Sequence, residues 1–583
     1  MRLAVLALAI LLPLHAQPSL PTTMPLSEIQ PGMKGYGKTV FHGGKIERFQ
    51  FEVVGIQRNA YPGRGRIMIK ASGGPLAQTG ILEGMSGSPC YIDGKLIGAL
   101  STGIQFEKDA AIGGVTPIGE MLEQLRDIPD TPSSRTPLIL PKLEPPKVLK
   151  AALEGRMVPL NELMEGADQG GALLDLVSTP LSPETRKLWD GLPVRFTSAP
   201  ALAPATGGNL EASPLEPGGM ASIQLMQGDL DMGASGTITY VSGKRVFLFG
   251  HPLLNMGAVD LPLWSATVAT LVPNYSSSFK LAMPVAEVGA LRLDRNSGVA
   301  GILGAQAHMV PLRVGLNLGG RRTLNFRFEI MDNPLLTPQL AATAVAQVLS
   351  ANIRGTGFQS LSMQGNIKLA GQNPIQVENV IADLNAGRMA QYIGGMLQAL
   401  TLNPFERPVI EGISLNIKAE ERLDLVAIAG IRLLKARAKR GEVLPVLVTL
   451  QNIQGVRETA TFDIQVPSSA AKGKAILMVG DGFSLMAADP DQRAVQTASL
   501  SDVVRVLNGA LRNNHAYALI VQAQPGAGLR GSRIEGIPPT IASLVGGDGS
   551  SSGNQLQRHI IGRAVLPLDR EVRGFSQMAI DIE

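Results

Sequence analysis

The sequence predicts a mainly β protein with two β-barrel-like halves, a C-terminal β-sandwich module and a few helices. Three observations carry that expectation. The chain has 66 glycines and 40 prolines but only 4% aromatic residues, which suits many turns and short strands. A small-residue loop, Gly84-Met85-Ser86-Gly87-Ser88-Pro89, feeds directly into a hairpin with its turn at Asp93-Gly94, a strong two-residue turn signal between apolar runs. The hairpin pattern Tyr-x-x-Gly-Lys also occurs twice, at Tyr91 to Lys95 and at Tyr240 to Lys244. Each copy leads through a hydrophobic strand to a glycine.

At 583 residues the chain is long enough for several domains. Its 45% apolar and 17% charged residues provide sizeable cores and exclude a disordered composition. Lys+Arg number 52 against 48 Asp+Glu, with no basic block, so no nucleic-acid partner is expected. Arg2, an apolar run from Leu3 to Leu14 and the small residue Ala16 read as a signal peptide over 1–16. No later stretch is apolar for long enough to span a bilayer. The expectation is an exported protein, periplasmic or extracellular, with no integral membrane segment after cleavage. The single cysteine, Cys90, cannot form an intrachain disulfide. It reads as a small hydrophobe on the first strand of the hairpin.

Taken in order, residues 25–130 form a first β unit. Met33 to Phe41 and the alternating stretch Ile46 to Val54 make a hairpin turning at Gly43-Gly44, and Arg66 to Lys70 adds a strand. The Ser86 loop and its hairpin follow, then a short helix from Ile118 to Leu125. Residues 131–218 read as a Pro/Ala-rich linker with short helices over 148–192. A second β unit, 219–330, contains Gly236-Thr237-Ile238-Thr239-Tyr240 and the strand running into Phe249-Gly250-His251-Pro252. A mixed α/β region spans 331–419, with helices at Thr337 to Ile353, N-capped by Thr337 with Pro338 opening it, and at Ala386 to Leu400. Strands at Leu423–Ala429, Val443–Gln451, Thr459–Val466 and Ala475–Val479 predict a sandwich over 420–480. Residues 481–583 form a C-terminal α/β region with a helix at Leu500 to Leu511 and a Gly/Ser-rich loop near 546–553.

The small residues around Ser86 permit a sharp turn that exposes a hydroxyl and lets N–H groups converge. The loop leads into a hairpin, not a helix, which favours a β-barrel peptidase over an α/β-hydrolase elbow. An activated serine needs a base. Of six histidines, His15 leaves with the signal peptide, His515 and His559 stand in the C-terminal region, and His308 reads as structural. His42 precedes the serine but abuts a glycine turn, where histidines are usually solvated. His251 ends a hydrophobic strand between Gly250 and Pro252, with glycine clearing space beside it, and is the preferred base.

The Ser86 loop with Gly94-Lys95-Leu96-Ile97-Gly98-Ala99 resembles the nucleophile segment of the SpoIVB (sporulation stage IV protein B) serine peptidase family. Gly236 to Thr239 through Phe249-Gly250-His251 resembles that family's histidine segment. The resemblance covers about 25–130 and 220–310, with the serine and histidine halves in permuted order. It implies a chymotrypsin-like (PA-type) fold, Ser86 as nucleophile and His251 as base. It also implies an oxyanion hole from the N–H groups of Gly84 and Ser86, protein or peptide substrates, self-processing, and neither metal nor cofactor. The family's acidic residue has no counterpart, its place falling on Ala71 or Ser72. Ser72 and Asp260 are the candidates for a third member, with Asp229, Asp231 and Asp294 read as solvated turn or strand-end residues. The function expected is an exported serine endopeptidase. The alternatives are a pseudo-peptidase acting as a secreted protein-binding scaffold and, behind it, a structural β-rich envelope protein.

Overall fold

The computed structural model describes residues 22–104, 111–124, 128–129, 144–163, 174–178, 180–191, 194–198, 211–275, 277–319, 322–353, 357, 359–383, 387–488, 497–523, 526–529, 532–534, 538, 540–541, 553–556 and 559–583. The expected signal peptide, most of the Pro-rich stretch after 131 and most of the Gly/Ser loop near 546–553 lie outside the described residues. The fold is mainly β, and the chain divides into two compact units. One comprises Met1–Thr131, Ala203–Ile223 and Ser235–Ala307, the other Pro132–Leu202, Gln224–Ala234 and His308–Glu583.

The first unit contains a closed six-stranded barrel, the architecture expected of a chymotrypsin-like half. Its strands are β1 (Lys34–Val40), β2 (Ile46–Tyr61), β3 (Arg64–Ser72), β4 (Pro89–Ile92), β5 (Lys95–Gly103) and β6 (Ile112–Pro117), joined in the order β1-β2-β3-β6-β5-β4. Alternation on β3 buries Ile67, Ile69 and Ala71 and turns Lys70 and Ser72 outward, as a period-2 strand with one wet face requires. Phe49, Phe51, Val53, Ile97, Leu100 and Val115 complete the core. Both anticipated turns are present. Val40 pairs with Ile46 around Gly43-Gly44, and Ile92 pairs with Lys95 around Asp93 and Gly94, both at positive φ.

The histidine-bearing half is also barrel-like: Met220–Gly228, Gly257–Val272, Phe279–Arg295, Gly298–Leu303, Arg245–Leu248 and Met232–Ser242 pair in that order, and the last pairs back with the first to close a ring of six strands. The strands Gly257–Val272 and Phe279–Arg295 pair antiparallel along their length. Gly298–Leu303 and Arg245–Leu248 follow, and Met232–Ser242 forms the Tyr240 hairpin. Repeated register shifts in the long pair bend the sheet as bulges do.

In the second unit, the strands Ile375–Asp383, Gln359–Leu369, Ile410–Glu420, Met309–Asn317 and Thr323–Met331 lie side by side. Helices Leu336–Asn352 and Gly387–Thr401 bury most of their residues. Thr337 is not the cap expected for the first helix. Asn333 accepts from the N–H groups of Leu335 and Leu336, while the Thr337 hydroxyl donates to Met331 O inside the structure. Parallel strands Leu174–Ser178 and Val194–Ser198 stand where short helices and linker were expected. The sandwich strands expected between 420 and 480 are present. Their core is closed by strands His515–Gln522, His559–Pro567 and Phe575–Ile582, so its second sheet depends on residues near the C-terminus. No helix among the described residues is long and apolar enough to cross a membrane.

Candidate active site

The Ser86 loop leaves the barrel just ahead of β4 and is anchored by its own Met85. That side chain is fully buried in the barrel core, a burial that stabilises by roughly 2–3 kcal/mol. The two serines of the hexapeptide part company here. Ser88 is completely buried and donates to Met85 O at 2.6 Å, a structural role. Ser86 is half-buried and reaches solvent.

The segment that precedes His251 grips this loop. Thr237 N–H donates to Ser86 O at 2.7 Å, Thr237 Oγ1 donates to Gly84 O at 3.0 Å, and Thr239 Oγ1 donates to Gly87 O at 2.8 Å. Two stretches recognised separately in the sequence are thus one hydrogen-bonded assembly. Gly87 sits at φ +94°, and a Cβ there would overlap Thr237 O and lie 2.6 Å from the Phe249 nitrogen. Gly250, at φ +70°, is pressed against β5, where a Cβ would come 2.9 Å from Ala99 Cβ. Thr116 Oγ1 donates to Gly250 O at 2.7 Å. Glycine at both places lets the serine loop and the histidine strand end approach each other and share β5, to which Gly87 N–H also donates through Leu100 O.

This bonding fixes where the loop's remaining donors point. A trans peptide sets its C=O and N–H on opposite sides. Met85 O is taken by Ser88, so the Ser86 N–H faces away from the core. Glu83 O accepts from Lys280 N, so the Gly84 N–H faces away from that strand. Neither N–H donates to an acceptor among the described residues. Two unbonded donors beside an accessible hydroxyl are what an oxyanion hole requires.

His251 is half-buried. Its Nδ1 lies 2.7 Å from Pro252 O. A carbonyl only accepts, so that bond puts the proton on Nδ1 and makes Nε2 the basic nitrogen. The Pro252 carbonyl thus helps to orient the ring. No side-chain pattern signals such a carbonyl.

The acidic candidates have these surroundings. Asp260 is buried in an ion pair with Arg292, whose other nitrogen donates to Gln306 O. Ser72 is exposed at the outer face of β3. Asp294 is not the solvated residue the sequence suggests. It is fully buried and accepts from the N–H groups of Leu253, Leu254 and Met256 at 2.8, 2.8 and 3.1 Å. It thereby shapes the loop that follows His251. Burial pushes its carboxyl up and the backbone N–H groups pull it back. Asp229 and Asp231 are exposed turn residues, Asp229 accepting from Arg327 N. His42 is exposed at its turn, and His308 pairs with Asp332 at 3.3 Å. Cys90 is fully buried and burial raises its thiol, which leaves it inert.

Fold and site together define a class: a mainly β protein that carries a serine loop on a closed barrel, with a histidine segment bonded to it. Residues 19–122 match the SpoIVB peptidase S55 family. The match takes in the whole barrel and the Ser86 loop and ends before His251. It supports a serine peptidase of the SpoIVB type at the level of the family, and hence protein substrates. No curated protein and no solved structure matches the chain.

Proposed function

We propose that the protein is an exported serine endopeptidase with Ser86 as nucleophile and His251 as base. Ser86 Oγ attacks the peptide carbonyl while His251 Nε2 takes its proton. The oxyanion forms against the N–H groups of Gly84 and Ser86. The imidazolium then protonates the leaving amine, and water repeats the sequence on the acyl-enzyme to release the acid. The observation that carries this reading is the grip of Thr237 and Thr239 on the serine loop, which leaves the two N–H donors unbonded.

A second reading, a weak or inactive peptidase that serves as a binding scaffold, draws on the same geometry. His251 Nδ1 meets a carbonyl, which fixes the tautomer but does not stabilise the imidazolium by charge. Following cleavage of a denatured protein decides between the two. The endopeptidase reading expects turnover by the wild-type chain and its loss, by about three or more orders of magnitude, in Ser86→Ala. Equal cleavage by both would remove Ser86 from the mechanism, and no cleavage by either would favour the scaffold.

A further inference from the structure

Beneath the serine loop lies a buried lysine that the hydrolytic scheme does not use. Lys280 is 3% exposed and sits at the start of the strand Phe279–Arg295. Its stem packs on the loop, since a Cβ on Gly84 would meet Lys280 Cβ and Cδ at 3.4 Å. Its amine stands 6.0 Å from the centre of the Phe41 ring. The neighbouring cluster of Val40, Met220, Ala266, Val268 and Ala282 is apolar. Among the described residues no carboxylate is within ion-pair reach of Lys280. Glu83, the nearest acid in the loop, accepts from Ser277 Oγ at 2.6 Å. A charged amine in such a place is costly, and its value falls from 10.5 to about 7 through desolvation. Leu or Met would fill the same space at no electrostatic cost, so the lysine has another use.

That use is visible in the hydrogen bond its amine makes. Lys280 Nζ donates to Thr39 Oγ1 at 2.6 Å. Thr39 Oγ1 lies 3.4 Å from Thr237 Oγ1, and Thr237 Oγ1 donates to Gly84 O at 3.0 Å. Thr237 spends its one proton on the Gly84 carbonyl, which can only accept, so any bond between the two hydroxyls is donated by Thr39, which in turn accepts from the Lys280 amine. We infer that Lys280 is a positioning residue of the nucleophile loop, holding the Gly84 carbonyl through Thr39 and Thr237 and so presenting the loop's N–H donors to the oxyanion. The inference rests on the peptidase reading for its consequence, but the hydrogen-bond chain exists independently of it. One strand each from β1, the histidine segment and the strand carrying Lys280 contributes a member. The oxyanion donors are therefore set by three separate parts of this unit.

The test uses the full chain with Thr39→Val, Thr39→Ser, Lys280→Met and the Thr39→Val/Lys280→Met pair. Two quantities are read: the rate of labelling by a fluorophosphonate probe, and hydrogen exchange of the amides over residues 80–90. Thr39→Val and Lys280→Met are each expected to slow labelling roughly tenfold, the scale of one lost positioning bond, and to speed exchange over 80–90. The double variant should be no worse than the slower single one, because both break one chain, and Thr39→Ser should restore both readouts. Thr39→Val with wild-type labelling and exchange would overturn the inference, as would fully additive losses in the double variant. If the wild-type chain takes no label, the peptidase reading fails, and exchange over 80–90 alone then decides the role of Lys280.

Discussion

Gly87→Ala is expected to abolish the reactivity of Ser86 and to destabilise the chain by several kcal/mol. Gly87 holds φ +94°, where an alanine costs about 1–2 kcal/mol from its own Cβ. That is the smaller part of the effect. The new methyl group would overlap the Thr237 carbonyl oxygen, a backbone atom that cannot rotate aside, so the loop and the histidine segment must separate. The bonds from Thr237 and Thr239 to the loop would be lost or lengthened. A displacement near 1 Å at a reacting group costs on the order of a hundredfold in rate. Gly63→Ala is the control, because Gly63 has a similar φ of +73° with nothing within 4 Å of the added Cβ. Thermal unfolding and probe labelling of both variants check the expectation. A small loss of stability and wild-type labelling are expected for Gly63→Ala only.

Asp294→Ala is expected to cost about 3–5 kcal/mol of stability and to lower activity about a hundredfold or more, although Asp294 touches no reacting atom in the scheme. Its carboxylate accepts from Leu253, Leu254 and Met256 N–H within the turn that immediately follows His251. Removing it leaves those donors without their partner, at roughly 1–3 kcal/mol for each one that stays buried. The turn must then reorganise, and His251 and the Pro252 carbonyl that orients it move with it. Asp294→Asn keeps one acceptor oxygen and should fall between wild type and Asp294→Ala in both unfolding and turnover. If Asp294→Ala lowered stability while turnover stayed intact, the turn would not be what positions the histidine.

Much of the barrel was legible in the sequence because its determinants are local. Asp93-Gly94 and Gly43-Gly44 specify their turns through backbone freedom, and Ile67, Ile69 and Ala71 announce the inward face of β3 by alternation. The serine and histidine segments were legible as separate motifs. Their contact was not, because it is made by Thr237 and Thr239 bonding to main-chain carbonyls 153 and 152 positions away, and a carbonyl carries no residue signature. The same reason hid one partner of His251, Pro252 O. Asp294 was misjudged because it sits at a strand end, where aspartate is usually wet. Its backbone N–H partners lie about 40 positions earlier, and it is fully buried among them. The cap at Asn333 was missed because Thr337 and Pro338 form a better local pattern, while Thr337 is drawn inward by Met331 O. The closure of the second ring, made by Met220–Gly228 pairing with Met232–Ser242, follows from pairing registers, which short strand patterns do not encode.

Ser86 is proposed as a nucleophile activated by His251. The most direct measurement is to treat the intact chain with a fluorophosphonate probe and map the adduct by peptide mass spectrometry. A single stoichiometric adduct on Ser86 is expected. It should be absent in Ser86→Ala and slowed at least about a hundredfold in His251→Ala, with the unfolding temperature of His251→Ala unchanged to within a few degrees. An adduct on another serine, or labelling of Ser86 at the same rate without His251, would contradict the proposal.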